Sequence, residues 1–196
     1  MNIVVATNNN HKIQEIKNIF QDSIFSVISY LAISNKQIDV EETGKTFQEN
    51  AILKLAPFAP IDNHIFLADD SGLEVAALNG KPGIYSARYA GTDTSALGLC
   101  TKLLSELSNT TNRKANFTTV IAIKFPNGKI KTVEGKVFGT ITSKICGKNG
   151  FGYDPVFQPN NHTITFAEMP PTQKNKISHR AIALKKAKKE ISQFLS

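Results

Sequence analysis

The order of apolar runs along the chain constrains its fold more than any other feature. Residues 2–6 are apolar except for Asn2, which is typical of a strand buried on both faces of a parallel sheet. Ile13, Ile16 and Phe20 then recur at the spacing of one helical face. A strand, a polar loop and a helix in this order form the repeating unit of α/β folds.

The rest of the chain keeps this alternation. Thr46 and Glu49 form a capping-box pattern at the start of a second helix, which Pro57 and Pro60 should end near Leu55 or Ala56. The Asn-Gly pair within residues 126–129 predicts a tight type I′ hairpin turn. Further strands are expected at residues 24–30, 64–68, 117–125 and 130–141, and further helices along residues 97–107 and from Ser178 onward. The pattern predicts an α/β chain with a mixed β-sheet flanked by helices, in two lobes with a central active-site cleft.

The size and composition are those of one globular domain. The chain has 196 residues, of which 41% are apolar and 20% are charged, so it can bury a core of its own. No run approaches the roughly 18 apolar residues that a membrane span needs. The first residues also lack the basic start and long apolar stretch of a secretory signal. We therefore expect a single domain over residues 1–196, without a membrane partner.

Cysteine content and charge bear on the compartment and the partners. Cys100 and Cys146 have no metal-ligand spacing, and we expect both to be reduced in a cytoplasmic protein, the alternative being a disulfide between them. The net charge of +7 favours anionic partners, either nucleotides or nucleic acid. Much of the excess lies at residues 185–189, where a solvated helix face is the simplest interpretation.

Two adjacent carboxylates, Asp69 and Asp70, follow the apolar run at residues 65–68 and precede Ser-Gly. We interpret them as the end of a strand at a turn, a position that suits a divalent cation and an activated water. Glu41 and Glu42 could add oxygen ligands from a separate segment. The alternative is turn and cap chemistry for the two aspartates and a solvated pair for the two glutamates.

The loop after the first strand carries groups suited to phosphate. Backbone amides at a helix N-terminus attract anions, and hydroxyl, amide and ammonium groups in the loop add donors and charge. The spacing matches neither a Walker loop nor a Rossmann fingerprint, so a plain polar loop is the alternative. The residues concerned are Thr7, Asn8, Asn9, Asn10, His11 and Lys12.

Two later segments could recognise a nucleotide base. In Phe151-Gly152-Tyr153-Asp154, an aromatic ring beside flexible backbone can stack on a base, and the carboxylate can accept from a base or a ribose. Ser178 can cap the last helix, while His179, Arg180 and, upstream, Lys174 can donate to purine oxygens. The alternatives are a turn with a core aromatic residue, and cations simply exposed near a helix start.

Six stretches of the chain, taken in order, resemble the inosine triphosphate pyrophosphatase family, and the resemblance covers nearly the whole chain, from Ala6 to Lys185. Each is modest alone, but all six in order make a chance match very improbable. The family usually has glycine where Asn8 and His11 stand here. The stretches are Ala6-Thr7-x-Asn9-x-x-Lys12, Glu42-Thr43-Gly44-x-Thr46-Phe47-x-Glu49-Asn50-Ala51, Ala68-Asp69-Asp70-Ser71-Gly72-Leu73, Pro82-Gly83-Ile84-Tyr85-Ser86-Ala87-Arg88-Tyr89, Gly150-Phe151-Gly152-Tyr153-Asp154-Pro155 and Ile177-Ser178-His179-Arg180.

The resemblance implies hydrolysis of deaminated purine nucleoside triphosphates (ITP, dITP, XTP) to the monophosphate and pyrophosphate, with Mg²⁺. It also implies an elongated α/β body with a cleft between two lobes, and a homodimer. Carried onto this chain, Asp70 would be the catalytic base, and Glu42 and Asp70 the metal ligands. Phosphate contacts would come from Thr7, Asn8, Asn9, Asn10, His11, Lys12, Lys54 and Ser71, and base contacts from Phe151, Gly152, Tyr153, Asp154, Lys174, His179 and Arg180.

The expected reaction is attack of water on the α-phosphorus, with Asp70 orienting or deprotonating the water. Donors aimed at the purine 6-position would accept hypoxanthine or xanthine and reject adenine. Two alternatives stay open. A Maf-like nucleotide pyrophosphatase would open with a Ser-x-Ser-x-Arg-Arg run, which residues 7–12 do not match. A basic nucleic-acid-binding module is disfavoured because the acids at residues 41, 42, 69 and 70 would repel a phosphate chain.

Overall fold

The computed structural model of the protein describes residues 1–21, 23–34, 40–92 and 94–195. Its strands are β1 (Asn2–Val5), β2 (Ser26–Ser29), β3 (His64–Val75), β4 (Lys114–Lys124), β5 (Ile130–Ile141) and β6 (Phe157–Pro159). Its helices are α1 (Asn10–Phe20), α2 (Leu31–Ser34), α3 (Phe47–Leu53), α4 (Ala96–Glu106), α5 (Pro171–Ile177) and α6 (His179–Leu195). The strands form one mixed sheet in the order β2-β1-β3-β4-β5-β6. The expected α/β fold with a mixed sheet flanked by helices is confirmed.

Strand β1 lies between β2 and β3 and runs parallel to both. Val5 is opposite Ser29 in β2 and opposite Leu67 in β3. Because the two strands β1 and β3 run in the same direction, the loop that follows β1 emerges beside the residues that follow Leu67. This register brings the polar loop before α1 close to Asp69, although about 60 residues of sequence separate them.

The described chain divides into two compact units. The first unit comprises Met1–Asp70, Thr119–Gly135 and Arg180–Ser196. Apolar residues cover both faces of its strands: Ile3 and Val5 belong to a core cluster with α1 and α6, whereas Val4 and Ala6 belong to another with α3. A strand covered on both faces needs apolar residues at consecutive positions, which explains the continuous apolar run at the start of the chain.

The second unit comprises Ser71–Thr118 and Lys136–His179 and is built around aromatic rings. The ring centroid of Phe117 lies 4.7 Å from that of Phe157 and 6.2 Å from that of Phe166. Leu73 and Val75 of β3 and three residues of α4 complete this core. Sequence analysis missed α5 and β6, which are both short and are both part of this unit.

The prediction that the third strand ends before Asp69 at a turn is wrong. Strand β3 continues to Val75, so that Asp69 and Asp70 lie inside it. Leu73 and Val75 are buried, and the backbone N–H of Leu73 donates to the Ser86 hydroxyl at 2.9 Å. The apolar alternation thus resumes at Leu73, three residues beyond Asp70, and Ser-Gly is part of the strand.

The turn between β4 and β5 is a hairpin as predicted, but its type differs. The carbonyl of Phe125 accepts from the N–H of Gly128 at 2.9 Å, and Gly128 has a φ of 81°. A type I′ turn needs positive φ at both central positions, whereas Pro126 fixes its φ near about −65°. The turn therefore starts with the negative φ of Pro126 and reaches a positive φ at Gly128.

Helix α3 starts as predicted and ends slightly early. The Thr46 hydroxyl accepts from the backbone N–H of Glu49 at 3.1 Å, which confirms the N-cap. The helix ends at Leu53, four residues before Pro57, and Lys54 is its C-cap. Among the residues that the structure describes, no helix combines the length and apolar character that crossing a membrane requires.

Candidate active site

Side chains of the loop after β1 fix the start of α1. The Asn9 carboxamide oxygen accepts from the backbone N–H groups of His11 and Lys12, at 2.9 and 3.3 Å. The Thr7 hydroxyl accepts from the N–H of Asn9 at 3.2 Å. Neither Asn8 nor His11 has a positive φ, so a side chain at these family glycine positions meets no backbone strain. The predicted phosphate loop is therefore a well-capped helix start with Asn10 as its first residue.

A line of four charged side chains crosses the first unit. Lys12 Nζ lies 3.0 Å from Asp69 Oδ2. Arg180 donates to the same oxygen through Nε at 3.3 Å and Nη2 at 3.2 Å. On its other side, Arg180 Nη1 pairs with Glu15 Oε2 at 2.5 Å. We call the series Glu15, Arg180, Asp69 and Lys12 the ion chain.

Within the ion chain, Asp69 stays ionised. Burial alone would raise the pKa of Asp69, but Lys12, Arg180 and Lys54 outweigh it and hold that pKa far below the ordinary range of a carboxyl. Burial lowers the pKa of Lys12, and the neighbouring Arg180 and Lys54 add to this, while Asp69 opposes it. Asp69 is thus suited to the role of a fixed counterion and unsuited to accepting a proton.

A second cluster surrounds Asp70. Lys54 Nζ lies 2.8 Å from Asp70 Oδ1 and 2.9 Å from Glu42 Oε1, and it donates to the Asp69 carbonyl at 3.2 Å. The carboxamide of Asn50 donates to the other oxygen, Asp70 Oδ2, at 3.3 Å. Both oxygens of Asp70 are therefore oriented by residues of α3 or its C-cap.

Asp70 differs from its neighbour Asp69 in both its surroundings and its acidity. Burial raises the pKa of Asp70, Glu42 adds to this, and Lys54 opposes it, with a net increase. Successive side chains of a strand point to opposite faces, so Asp69 meets α1 and α6 while Asp70 meets α3. Two carboxyls with such different surroundings are suited to different tasks.

Glu42 and Asp70 fit a divalent cation that brings most of its own ligands. The two carboxylates come from separate segments and contact the same ammonium group. Mg²⁺ keeps several waters and is usually held by one or two carboxylates together with substrate phosphates. Within the four described ranges, no group of three His, Cys, Asp or Glu side chains could hold a metal ion. The donor set therefore suits a cation shared with a phosphate ligand, and does not suit a cage of protein ligands alone.

In the second unit, Asp154 shapes the aromatic segment. Its Oδ2 accepts from the backbone N–H of Phe151 at 2.8 Å and from Lys174 Nζ at 2.7 Å. Lys174 Nζ also lies 4.8 Å from the centre of the Phe151 ring. Gly150 has a φ of 75°, and a Cβ atom there would fall 2.0 Å from Asp154 Oδ2. Glycine at position 150 is therefore required by both its backbone conformation and the neighbouring carboxylate.

Two other predicted base contacts are buried in the aromatic core. The Tyr153 hydroxyl donates to the Ser86 carbonyl at 2.9 Å, and burial raises the pKa of Tyr153. The His179 ring stacks on Phe117, with ring centroids 4.5 Å apart and planes 9° from parallel. Phe151, Gly152 and Ser71 are half-buried.

The structure brings the predicted site residues together in two groups. Lys12, Glu42, Lys54 and Asp70 lie in the first unit, and Phe151, Asp154 and Lys174 in the second. Arg180 was predicted to contact the base, and its guanidinium is part of the ion chain of the first unit. Sequence analysis missed Asn50 and Glu15. A buried asparagine beside Ala51 on the apolar face of α3 was the available signal for Asn50.

The sheet, its flanking helices and the carboxylate–lysine clusters on β3 define an α/β protein with a buried, highly charged side-chain cluster. The sequence matches the Ham1 family over residues 3–190, and the chain belongs to that family. It is 49% identical over 182 residues to a dITP/XTP pyrophosphatase of Staphylococcus aureus (strain MRSA252), covering 93% of this chain and 92% of the relative. A dITP/XTP pyrophosphatase of Staphylococcus epidermidis (strain ATCC 12228) is also 49% identical, with the same coverage.

Solved structures of Ham1 proteins share the fold. The Ham1 protein of Staphylococcus aureus superposes with a TM-score of 0.87 at 46% identity, covering 98% of this chain and 99% of that one. A HAM1 protein from Coxiella burnetii gives the same TM-score and coverage at 38% identity. The agreement over nearly the whole of each chain confirms the α/β architecture described above.

Proposed function

We propose that this chain hydrolyses deaminated purine nucleoside triphosphates (ITP, dITP and XTP) to the monophosphate and pyrophosphate, and so removes them from the nucleotide pool. The observation that carries the proposal is the contrast between adjacent carboxyls: Asp69 contacts Lys12 and Arg180, whereas Asp70 contacts Lys54 together with Glu42. Membership of the Ham1 family and relatives named dITP/XTP pyrophosphatase support the substrate class.

We assign the contacts to the triphosphate and its cation to residues of the first unit. Glu42 and Asp70 would hold a divalent cation, Mg²⁺, which when bound would neutralise phosphate charge and favour nucleophilic attack at phosphorus. Lys12 and Lys54 supply ammonium groups for the triphosphate, and the capped start of α1 presents its backbone N–H groups. These cations also offset the charge that builds up on the leaving pyrophosphate.

Asp70 is the proposed catalytic base. It takes a proton from water as the water oxygen bonds to the α-phosphorus and the bond from that phosphorus to the bridging oxygen breaks. The electron pair of the broken bond leaves with pyrophosphate. Asn50 and Lys54 orient the two oxygens of Asp70, and Asp69 keeps its negative charge as a counterion to Lys12.

We assign the contacts to the purine base to residues of the second unit. Phe151 offers a half-buried ring for stacking, and the adjacent Lys174–Asp154 pair offers a donor and an acceptor. A 6-oxo purine presents an acceptor to a lysine donor, whereas adenine presents an amino donor in its place. A mismatch of this kind costs about 1–3 kcal/mol for each unsatisfied group. Gly152, Tyr153, His179 and Arg180 were predicted from sequence as further base contacts, and Ser71 as a phosphate contact.

Pyrophosphate release from ITP, XTP, GTP and ATP, with and without Mg²⁺, tests the proposal. We expect kcat/KM for ITP and XTP to exceed that for ATP by about 100-fold or more, because a site built on hydrogen bonds rejects a ligand that leaves them unmade. Chelation of the metal should abolish turnover. Equal turnover of all four nucleotides would overturn the selectivity, and absence of turnover with Mg²⁺ would overturn the function.

We further propose that the protein is a homodimer that acts in the cytoplasm on free nucleotides and has no nucleic-acid partner. Light scattering should give twice the chain mass of 21.4 kDa. A monomeric mass would contradict the dimer. Salt-sensitive binding of single-stranded DNA or RNA without nucleotide turnover would instead favour a nucleic-acid-binding module.

A further inference from the structure

We propose that Glu15 is a positioning residue: acting through Arg180 and Asp69, it holds the Lys12 ammonium in place for the phosphates of the substrate. The inference rests on the proposed function, in which Lys12 contacts the triphosphate. Glu15 itself need not touch the nucleotide. Its role would also give Arg180 a task on the phosphate side of the reaction, in place of the base contact predicted from sequence.

The ion chain begins and ends on the same helix. Lys12 and Glu15 are three residues apart in α1, a spacing that places their side chains on one face of the helix. The two residues between them in the ion chain come from other elements, Asp69 from β3 and Arg180 from α6. The four side chains therefore tie the first turn of α1 to the strand that carries Asp70.

Arg180 is the rigid member of the ion chain. Only 1% of it is exposed, and its Nε, Nη1 and Nη2 atoms all donate to Asp69 or Glu15. A guanidinium group is planar, so carboxylates on two of its edges fix both its position and its plane. The Glu15 carboxylate is one of the two acids that fix the plane of the Arg180 guanidinium. Without it, Asp69 would be the one of the two that remains.

The position of Arg180 affects that of Lys12 because both cations contact the same oxygen of Asp69. Asp69 Oδ2 receives Arg180 from one side and lies 3.0 Å from Lys12 Nζ on the other. A rotation of the carboxylate toward a displaced Arg180 would move the oxygen that holds Lys12. A shift of even one ångström at a charged group that binds substrate is enough to slow a reaction substantially.

A double-mutant cycle with Glu15→Gln and Lys12→Met tests the inference. The readouts are kcat/KM for ITP with Mg²⁺ and the Kd for inorganic tripolyphosphate. We expect about a 10-fold loss for Glu15→Gln, about a 30-fold loss for Lys12→Met and about the same 30-fold loss for the double variant. Once Lys12 is gone, Glu15 has nothing left to position. A double variant whose loss is the product of the single losses, about 300-fold, would overturn the inference.

The matched control is Glu190→Gln, which makes the same chemical change and breaks the Lys131–Glu190 ion pair of the same unit. It should stay within about twofold of the wild type in both readouts. If Glu15→Gln behaves like this control, the inference is overturned. Should Glu15→Gln fail to fold, Glu15→Asp, which withdraws the carboxylate by one methylene, replaces it in the same cycle. A wild-type protein that does not hydrolyse ITP would overturn the proposed function, whereas an active wild type with multiplicative losses would overturn only the positioning role.

Discussion

The two compact units bury charge in different ways. In the first unit, the buried Asp69 carboxylate is shared by cations from two elements, Lys12 of α1 and Arg180 of α6. In the second unit, the Asp154–Lys174 pair sits among aromatic rings, with Lys174 Nζ 4.8 Å from the centre of Phe151 and 5.8 Å from that of Phe166.

In the proposed function, this difference separates chemistry in the first unit from recognition in the second. A carboxylate shared between cations keeps its charge when one cation moves toward a ligand, which suits the handling of a multiply charged phosphate chain. A single ion pair surrounded by rings has a fixed donor and a fixed acceptor, which suits the edge of a flat base. The first unit should therefore be sensitive to catalytic substitutions, and the second to substitutions that disturb its packing.

The largest expected effect is that of Asp70→Asn in the first unit. We expect kcat for ITP to fall about 1,000-fold, since the amide cannot accept the proton of the attacking water. The melting temperature should change little, because the amide keeps the size of the side chain. Asp62→Asn, at an exposed position just before β3, is the matched control and should keep full activity. Near-normal turnover by Asp70→Asn would rule out Asp70 as the base.

Urea unfolding of two lysine variants compares the two units directly. Lys174→Met should lower the free energy of unfolding by about 3 kcal/mol, because the buried Asp154 carboxylate loses its ammonium partner. Lys12→Met should cost only about 1 kcal/mol, because Arg180 still compensates Asp69. Lys131→Met, in a partly exposed pair, serves as the control and should cost less than either. Equal losses for Lys174→Met and Lys12→Met would remove the proposed distinction.

Alanine substitutions at two glycines of the aromatic segment distinguish the cost of backbone strain from the cost of a steric clash. Gly150 and Gly152 both have positive φ, but only a Cβ at Gly150 meets neighbouring atoms, those of Asp154. Gly152→Ala should therefore cost about 1 kcal/mol of folding free energy and Gly150→Ala about 2 kcal/mol. Gly150→Ala should also raise KM for ITP, because Asp154 and Phe151 must shift. If thermal unfolding and KM respond equally in both variants, Asp154 does not hold the segment as described.

The smallest expected effect is a difference in the rate at which a thiol reagent labels the two free cysteines, Cys100 and Cys146. Burial, with a contribution from Asp154, raises the pKa of the Cys100 thiol to about 12. The reactive thiolate of Cys100 should thus stay scarce between pH 7 and pH 9, and its labelling should rise only toward pH 12. We expect Ellman's reagent to modify half-buried Cys146 first, and Cys146→Ser to suppress the fast phase. Rapid labelling of Cys100 at pH 8 would show that the second unit opens readily.

Local sequence patterns were enough to predict much of the fold. The apolar run before Thr7 and the helical spacing after it predicted β1 and α1, and the Thr46 cap predicted the start of α3. Asp69 and Asp70 stood out because two acids follow four apolar residues. Their position inside β3 was missed, because a strand that continues through Asp-Asp-Ser-Gly has weak strand propensity there and is completed by distant packing.

Long-range pairings could not be derived from local patterns. Glu15 and Arg180 are 165 residues apart, and nothing near either residue indicates the other. Similarly, Asn50 meets Asp70 only because α3 covers one face of β3. Such contacts depend on the parallel register of the sheet and on which helix covers which face, both of which are set by the whole core.

The alternation of side chains along β3 makes the order of its residues as important as their identity. Inserting or deleting a single residue between Leu67 and Asp69 would turn each acid toward the opposite helix layer. The carboxylate meant for Lys12 and Arg180 would then face α3, and the one meant for Lys54 would face α1 and α6. In a library of variants, substitutions on this strand should therefore keep activity far more often than insertions or deletions of even one residue.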